Sequence, residues 1–208
     1  MKFPISLLAS VFDLEPRNEE LSWQDFTELF AEPRQSPCTL QTCLRGNCSH
    51  KRGACWSAFA IGSRERESSL LAFDIDRLTD DRGQLDEIRG RLGRLQYLMH
   101  STHSDRPDSR CLRVIIALSS PVAADKWGPF FHACRRSLVP EADLVCADGR
   151  RLHFLPSCPR DGSYFIQVNK GSPLDVDVTL STISSSQGLV EEVTGNQQGE
   201  TMLKCDEM

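Results

Sequence analysis

The chain has 208 residues, 39% hydrophobic and 25% charged, with a net charge of −5 at neutral pH. That is enough for one substantial core, or one domain plus a tail, and the composition is ordinary for a soluble globular protein. No stretch is long enough to span a membrane, and the negative balance argues weakly against a nucleic-acid partner.

The charge is unevenly spread. Ser181–Met208 holds five acids and one base, which leaves −1 for the residues before it. Basic clusters remain at Lys51-Arg52, Arg64–Arg66, Arg89–Arg94, Arg135-Arg136 and Arg150-Arg151. A face built from some of these could track a phosphate backbone.

In chain order, Met1–Phe12 carries one Lys, an early Pro and a short apolar core, so it reads as an edge strand or first helix rather than an export signal. A helix is expected over Ser22–Phe30, with Trp23, Phe26, Leu29 and Phe30 inward. Cys38, Cys43, Cys48, His50 and Cys55 then bring five soft or borderline ligands into eighteen residues. Cys43, Cys48, His50 and Cys55 could hold a structural Zn²⁺ tetrahedrally, although the spacing is not the usual Cys-x2-Cys pair. The nine cysteines, with no export signal, are expected as free thiols in a reducing cytoplasm.

Ser69–Asp76 reads as a buried strand. Leu85, Ile88, Leu92, Leu95 and Leu98 form the apolar stripe of an amphipathic helix, with Arg89, Arg91 and Arg94 solvated opposite it. Tyr97–Ser104 reads as a strand placing Ser101 and His103 on one face. Arg110–Leu118, rich in β-branched residues, is another strand. A helix follows Ser119-Ser120-Pro121 with Trp127, Phe130, Phe131, Cys134 and Leu138 inward, kinked or restarted at Gly128-Pro129. After about residue 180 the chain reads as a disordered polar, acidic tail or linker. The order strand–helix–strand–strand–helix–strand predicts an α+β protein.

The most informative pair is Asp74 and Asp76. Residues i and i+2 of a strand share a face, so Phe73 and Ile75 are expected in a core while the two carboxylates project together. Paired carboxylates repel unless a cation lies between them, and hard oxygen ligands suit Mg²⁺ or Mn²⁺.

Three motifs in order, Asp74-Ile75-Asp76, then Ser101-Thr102-His103, then Asp143 with Arg151 eight residues on, resemble the catalytic core of the archaeo-eukaryotic primase superfamily. The likeness is to the primase-polymerases of plasmids and phages in particular. Trp56-Ser57, the passage Arg110–Val122, Leu155-Pro156-Ser157 and Pro173–Asp177 resemble further passages of that family. The resemblance spans roughly residues 5 to 180. Asp148, nearer Arg151, competes with Asp143 as the third carboxylate. Met99 stands where many relatives carry a basic residue.

The resemblance implies a two-lobed α+β primase-polymerase core over residues 1–180, its mixed and antiparallel sheets flanked by helices and its active site between the lobes. It implies two divalent ions, about 4 Å apart in such sites, held by Asp74, Asp76 and Asp143. It further implies His103 on a nucleotide phosphate, Ser101 orienting it, and Arg151 as a fork for the triphosphate. Arg113, Arg160 and Lys170 are weaker candidates for phosphate or template contact. The implied reaction is template-directed nucleotidyl transfer on single-stranded DNA from nucleoside triphosphates, in plasmid or phage replication, with a separate replicative helicase as partner. Two rival readings are a metal-dependent nuclease using the same carboxylates and a non-catalytic zinc-containing nucleic-acid-binding module.

Overall fold

A computed structural model of the chain describes residues 1–9, 15–44, 58–60, 67–78, 81–149 and 151–185. The fold is α+β and contains two four-stranded antiparallel sheets. The first sheet joins β1 (Lys2–Leu8), β2 (Arg17–Ser22), β4 (Ala58–Ala60) and β8 (Leu152–Phe154) in the order β2-β1-β4-β8. The N-terminal segment is therefore a strand, and an interior one. The second sheet runs β10-β6-β7-β5, from β5 (Glu67–Leu78), β6 (Gln96–Ser101), β7 (Arg110–Ala123) and β10 (Ile166–Lys170). A two-residue parallel pair, β3 (Arg34–Gln35) with β9 (Ser157–Cys158), completes the strands.

Helix α1 (Trp23–Glu28) starts as the sequence predicts. Ser22 Oγ accepts the Asp25 N–H at 3.2 Å and Asp25 Oδ2 accepts the Ser22 N–H at 3.3 Å, a reciprocal capping box. Helix α2 (Leu40–Leu44) follows β3. Helix α3 (Asp81–Leu92) buries Leu85, Ile88 and Leu92 but ends there, because Gly93 turns left-handed at φ 48°. Leu98, expected on the helical stripe, belongs to β6 instead. Helix α4 (Ala124–Leu138) continues through Pro129 as one element and buries Trp127, Phe130, Phe131 and Cys134. Proline there removes only one bond near the first turn, and the buried aromatics hold the rest. The last described helix, α5 (176–185), runs past the expected domain end at 180. Asp175 caps it by accepting the Val178 N–H at 2.9 Å.

One core runs through both sheets. Phe3, Ile5, Phe26, Phe30 and Phe59 fill the side of the first sheet, and Phe73, Ile75, Phe130 and Phe131 the helix side of the second. Each fully buried Phe or Ile contributes about 1.5–3 kcal/mol of transfer free energy. Because β5 and β7 are covered on both faces, they read as unbroken apolar runs. Gly171 lets β10 approach the α3–β6 turn, since a Cβ there would sit 1.8 Å from the Arg94 carbonyl oxygen.

Among the described residues, no helix is long and apolar enough to cross a membrane.

Candidate active site

The register of the second sheet builds the floor of the site. Asp74 of β5 lies opposite Arg113 of β7, and Arg113 lies opposite His100 of β6. Cross-strand partners share a face, so these three side chains form one row. Phe73 and Ile75 point the other way into the core and are fully buried, as the alternation predicts. After Ile75 the β5–β7 register slips by one residue, with Arg77 at φ 65°. Regular pairing therefore ends at Ile75 and Asp76 falls within the bulge, a common device for aiming a side chain at a site rim.

A cleft of about 350 Å³ opens over this floor, lined among others by Asp74, Asp76, His103 and Arg113. Its far wall is the segment Phe154–Ser157, which leaves β8 of the first sheet and enters β9. The cleft therefore lies where the two sheets meet.

Asp74 is buried, and both its oxygens accept from Arg113, at 2.6 Å from Nε and 3.2 Å from Nη2. Burial alone would raise its pKa. The Arg113 charge and hydrogen bonds, with smaller contributions from His153 and Arg151, outweigh burial and bring it down to about 2. Arg151 Nη2 lies 3.7 Å from Asp74 Oδ2. Asp76 is exposed at the rim.

His103 is buried, with Nδ1 3.2 Å from Ser157 Oγ. The expectation that Ser101 and His103 share a face is not met, because β6 ends at Ser101 and the chain turns. Ser101 instead accepts the Phe165 N–H at 3.0 Å, and its own N–H bonds the Phe165 carbonyl, so it pins the segment leading into β10. Asp143 does not line the cleft. Its side chain caps the short 3-10 helix Leu144–Ala147 by accepting the Val145 N–H at 3.1 Å, while its own N–H bonds the Asp74 carbonyl at 2.8 Å. Asp148 is exposed and likewise absent from the cleft lining. Arg160 and Lys170 are exposed outside the cleft. Cys48, His50 and Cys55, the side chain of Cys43, and Trp56-Ser57 lie outside the described residues.

Two histidines that the sequence reading left without a role sit behind the carboxylate. His100 Nδ1 faces the Ser101 carbonyl at 2.9 Å. A carbonyl only accepts, so Nδ1 carries the proton. Burial, then the Arg113 charge, hold His100 down to about 3 against the opposing pull of the Ser101 carbonyl and Asp74. His153 is held down to about 3 by burial and Arg113 in the same way. Both are neutral at physiological pH. Their rings pack at a tilt against Phe30 and Phe59, with centroids 5.1 Å and 5.5 Å apart.

The donor set bears on the expected ions. Asp74 and Asp76 present hard oxygens on one cleft, which suits a divalent cation that keeps several waters and takes further oxygens from a substrate phosphate. Among the described residues, no group of three His, Cys, Asp or Glu is gathered to hold an ion. The residues therefore fit a carboxylate pair completed by substrate and water, and not a preformed three-carboxylate cage.

The chain was also compared with known proteins. The family model described as the VapE N-terminal domain matches residues 59–187, more than half of the chain. No curated protein matches it. Among solved structures, the archaeo-eukaryotic primase (AEP) domain of the cyanophage S-2L primase-polymerase is similar at 12% identity, with a TM-score of 0.46. That match covers 88% of this chain and 89% of that one.

Proposed function

We propose a function from one premise: the chain belongs to the VapE N-terminal domain family. The cleft carries out metal-dependent, template-directed nucleotidyl transfer from nucleoside triphosphates, making or extending primers on single-stranded DNA. The observation that carries this reading is convergence. Asp74, Asp76 and His103, from two motifs on different strands and turns, line one cleft. The third motif comes to the same place through Arg151, 3.7 Å from Asp74.

Asp74 and Asp76 would hold Mg²⁺ or Mn²⁺. Such ions, when bound, lower the pKa of an attacking 3′-hydroxyl and neutralise charge on the leaving pyrophosphate. The protein's own residues do the positioning. Arg113 keeps Asp74 ionised and fixed, so the floor presents an anionic oxygen pair without reorganisation. Ser157 orients His103 toward the cleft, where the imidazole binds a phosphate of the incoming nucleotide. Arg151 adds positive charge beside Asp74 for the triphosphate. The buried histidines, neutral at physiological pH, add no competing cation beside Asp74.

The test uses labelled nucleoside triphosphates, single-stranded DNA and either Mg²⁺ or Mn²⁺. New labelled oligonucleotides support primer synthesis. Extension of an annealed primer alone narrows the reading to a polymerase that needs help to initiate. No incorporation with either metal overturns it.

A further inference from the structure

Both walls of the cleft meet at one guanidinium. Arg113 gives Nε and Nη2 to the two oxygens of Asp74 and Nη1 to the Phe154 carbonyl at 2.8 Å. The first two bonds stay within the second sheet. The third crosses to the wall that continues to Ser157, whose hydroxyl meets His103. We propose that Arg113 is a positioning residue that fastens this wall, and through Ser157 the His103 ring, to Asp74. This positioning role is distinct from the phosphate or template contact that the sequence suggests for this residue.

Three observations support the assignment. All three guanidinium nitrogens are engaged, and the side chain is buried. The wall has little ladder of its own, since β8 pairs with β4 over three residues and β9 with β3 over two. A planar fork can hold a carboxylate edge-on and reach a carbonyl at the same time, which a lysine ammonium cannot do with the same geometry. The inference rests on the nucleotidyl-transfer reading only for what His103 does, because the fastening is a property of the free protein.

The experiment is amide hydrogen exchange and imidazole ¹⁵N NMR on the full chain, comparing wild type, Arg113→Lys and Asp74→Asn. The reporters are the Arg34 and Ser36 amides, which donate to the Pro156 and Cys158 carbonyls of the wall, and the His103 ring. Arg113→Lys is expected to speed exchange at both amides about tenfold or more and to shift the His103 nitrogens. Asp74→Asn, which keeps the bond to Phe154 but strands the Arg113 charge, is expected to lower global stability while leaving both amides better protected than Arg113→Lys does. Should Arg113→Lys not fold, the double variant Asp74→Asn/Arg113→Gln removes both buried charges and the clasp together, with the same expected loss of protection. Unchanged exchange and an unchanged His103 ring in the folded variants overturn the inference. These readouts need no nucleotide, so that failure is distinct from failure of the nucleotidyl-transfer reading, which shows as no incorporation by wild type.

Discussion

At the scale of single residues, the two carboxylates of the first motif are not equivalent. Asp74 is the buried half of an ion pair, so Asp74→Ala strands the Arg113 charge and is expected to destabilise the fold by about 3–5 kcal/mol in denaturant unfolding. Asp76 is exposed, and Asp76→Ala is expected to stay within about 0.5 kcal/mol of wild type in the same measurement. The pairing also gives an acid signature. Asp74 is held at about 2 against an ordinary 3.8. Its stabilisation is therefore present above 3.8 and lost as pH falls through about 2, amounting to about 2 kcal/mol. The Asp-x-Asp spacing was legible because strand alternation is local. The partner of Asp74 was not, because which residue of β7 lies opposite depends on register, and nothing in the sequence of Arg110–Val122 sets register by itself.

At the scale of elements, the strands β6 and β8 show where pattern reading stops. In Leu152-His153-Phe154 an apolar run suggests inward Leu and Phe, yet His153 is buried while Leu152 and Phe154 are 38% and 41% exposed. His153 pairs across to Phe59 and packs at a tilt against it, so tertiary context overrides hydrophobicity. The buried histidines set the stability profile at milder pH. Each has a folded pKa of about 3 against 6.5. Below 6.5 the unfolded chain takes up protons that the folded chain does not, so stability falls as pH drops from 6.5 toward 3. At pH 5 the loss reaches about 2 kcal/mol per histidine, and urea midpoints at pH 7.5 and pH 5 check it. His153→Phe is expected to flatten that slope. The serine of Ser-x-His is an element-scale residue too. Ser101→Ala frees the Phe165 amide and is expected to cost about 1–3 kcal/mol by thermal or urea unfolding. The helix stripe through Leu92 was legible, but its stop was misread at Leu98, because apolar residues continue in phase while Gly93 turns the backbone out of the helix.

At the scale of the whole molecule, two antiparallel sheets share one core and leave a cleft at their junction. The α+β class and the strand–helix order followed from periodicity. The junction did not, because it depends on how β8 and β9 return beside β5 and β7 from far along the chain. Three sequence motifs become one site through that return, with the third motif arriving as Arg151 and a backbone bond from Asp143 rather than as a third carboxylate in the cleft. The central claim is that this cleft joins nucleotides through its carboxylate pair. Its most direct test is primer synthesis on single-stranded DNA with Mg²⁺ or Mn²⁺ by wild type beside Asp76→Ala, both shown folded by matching unfolding curves. Labelled oligonucleotides from wild type and at least a hundredfold less, about 2.7 kcal/mol of transition-state stabilisation, from Asp76→Ala are the predicted result. Equal product from the two proteins, or none from either, would contradict it.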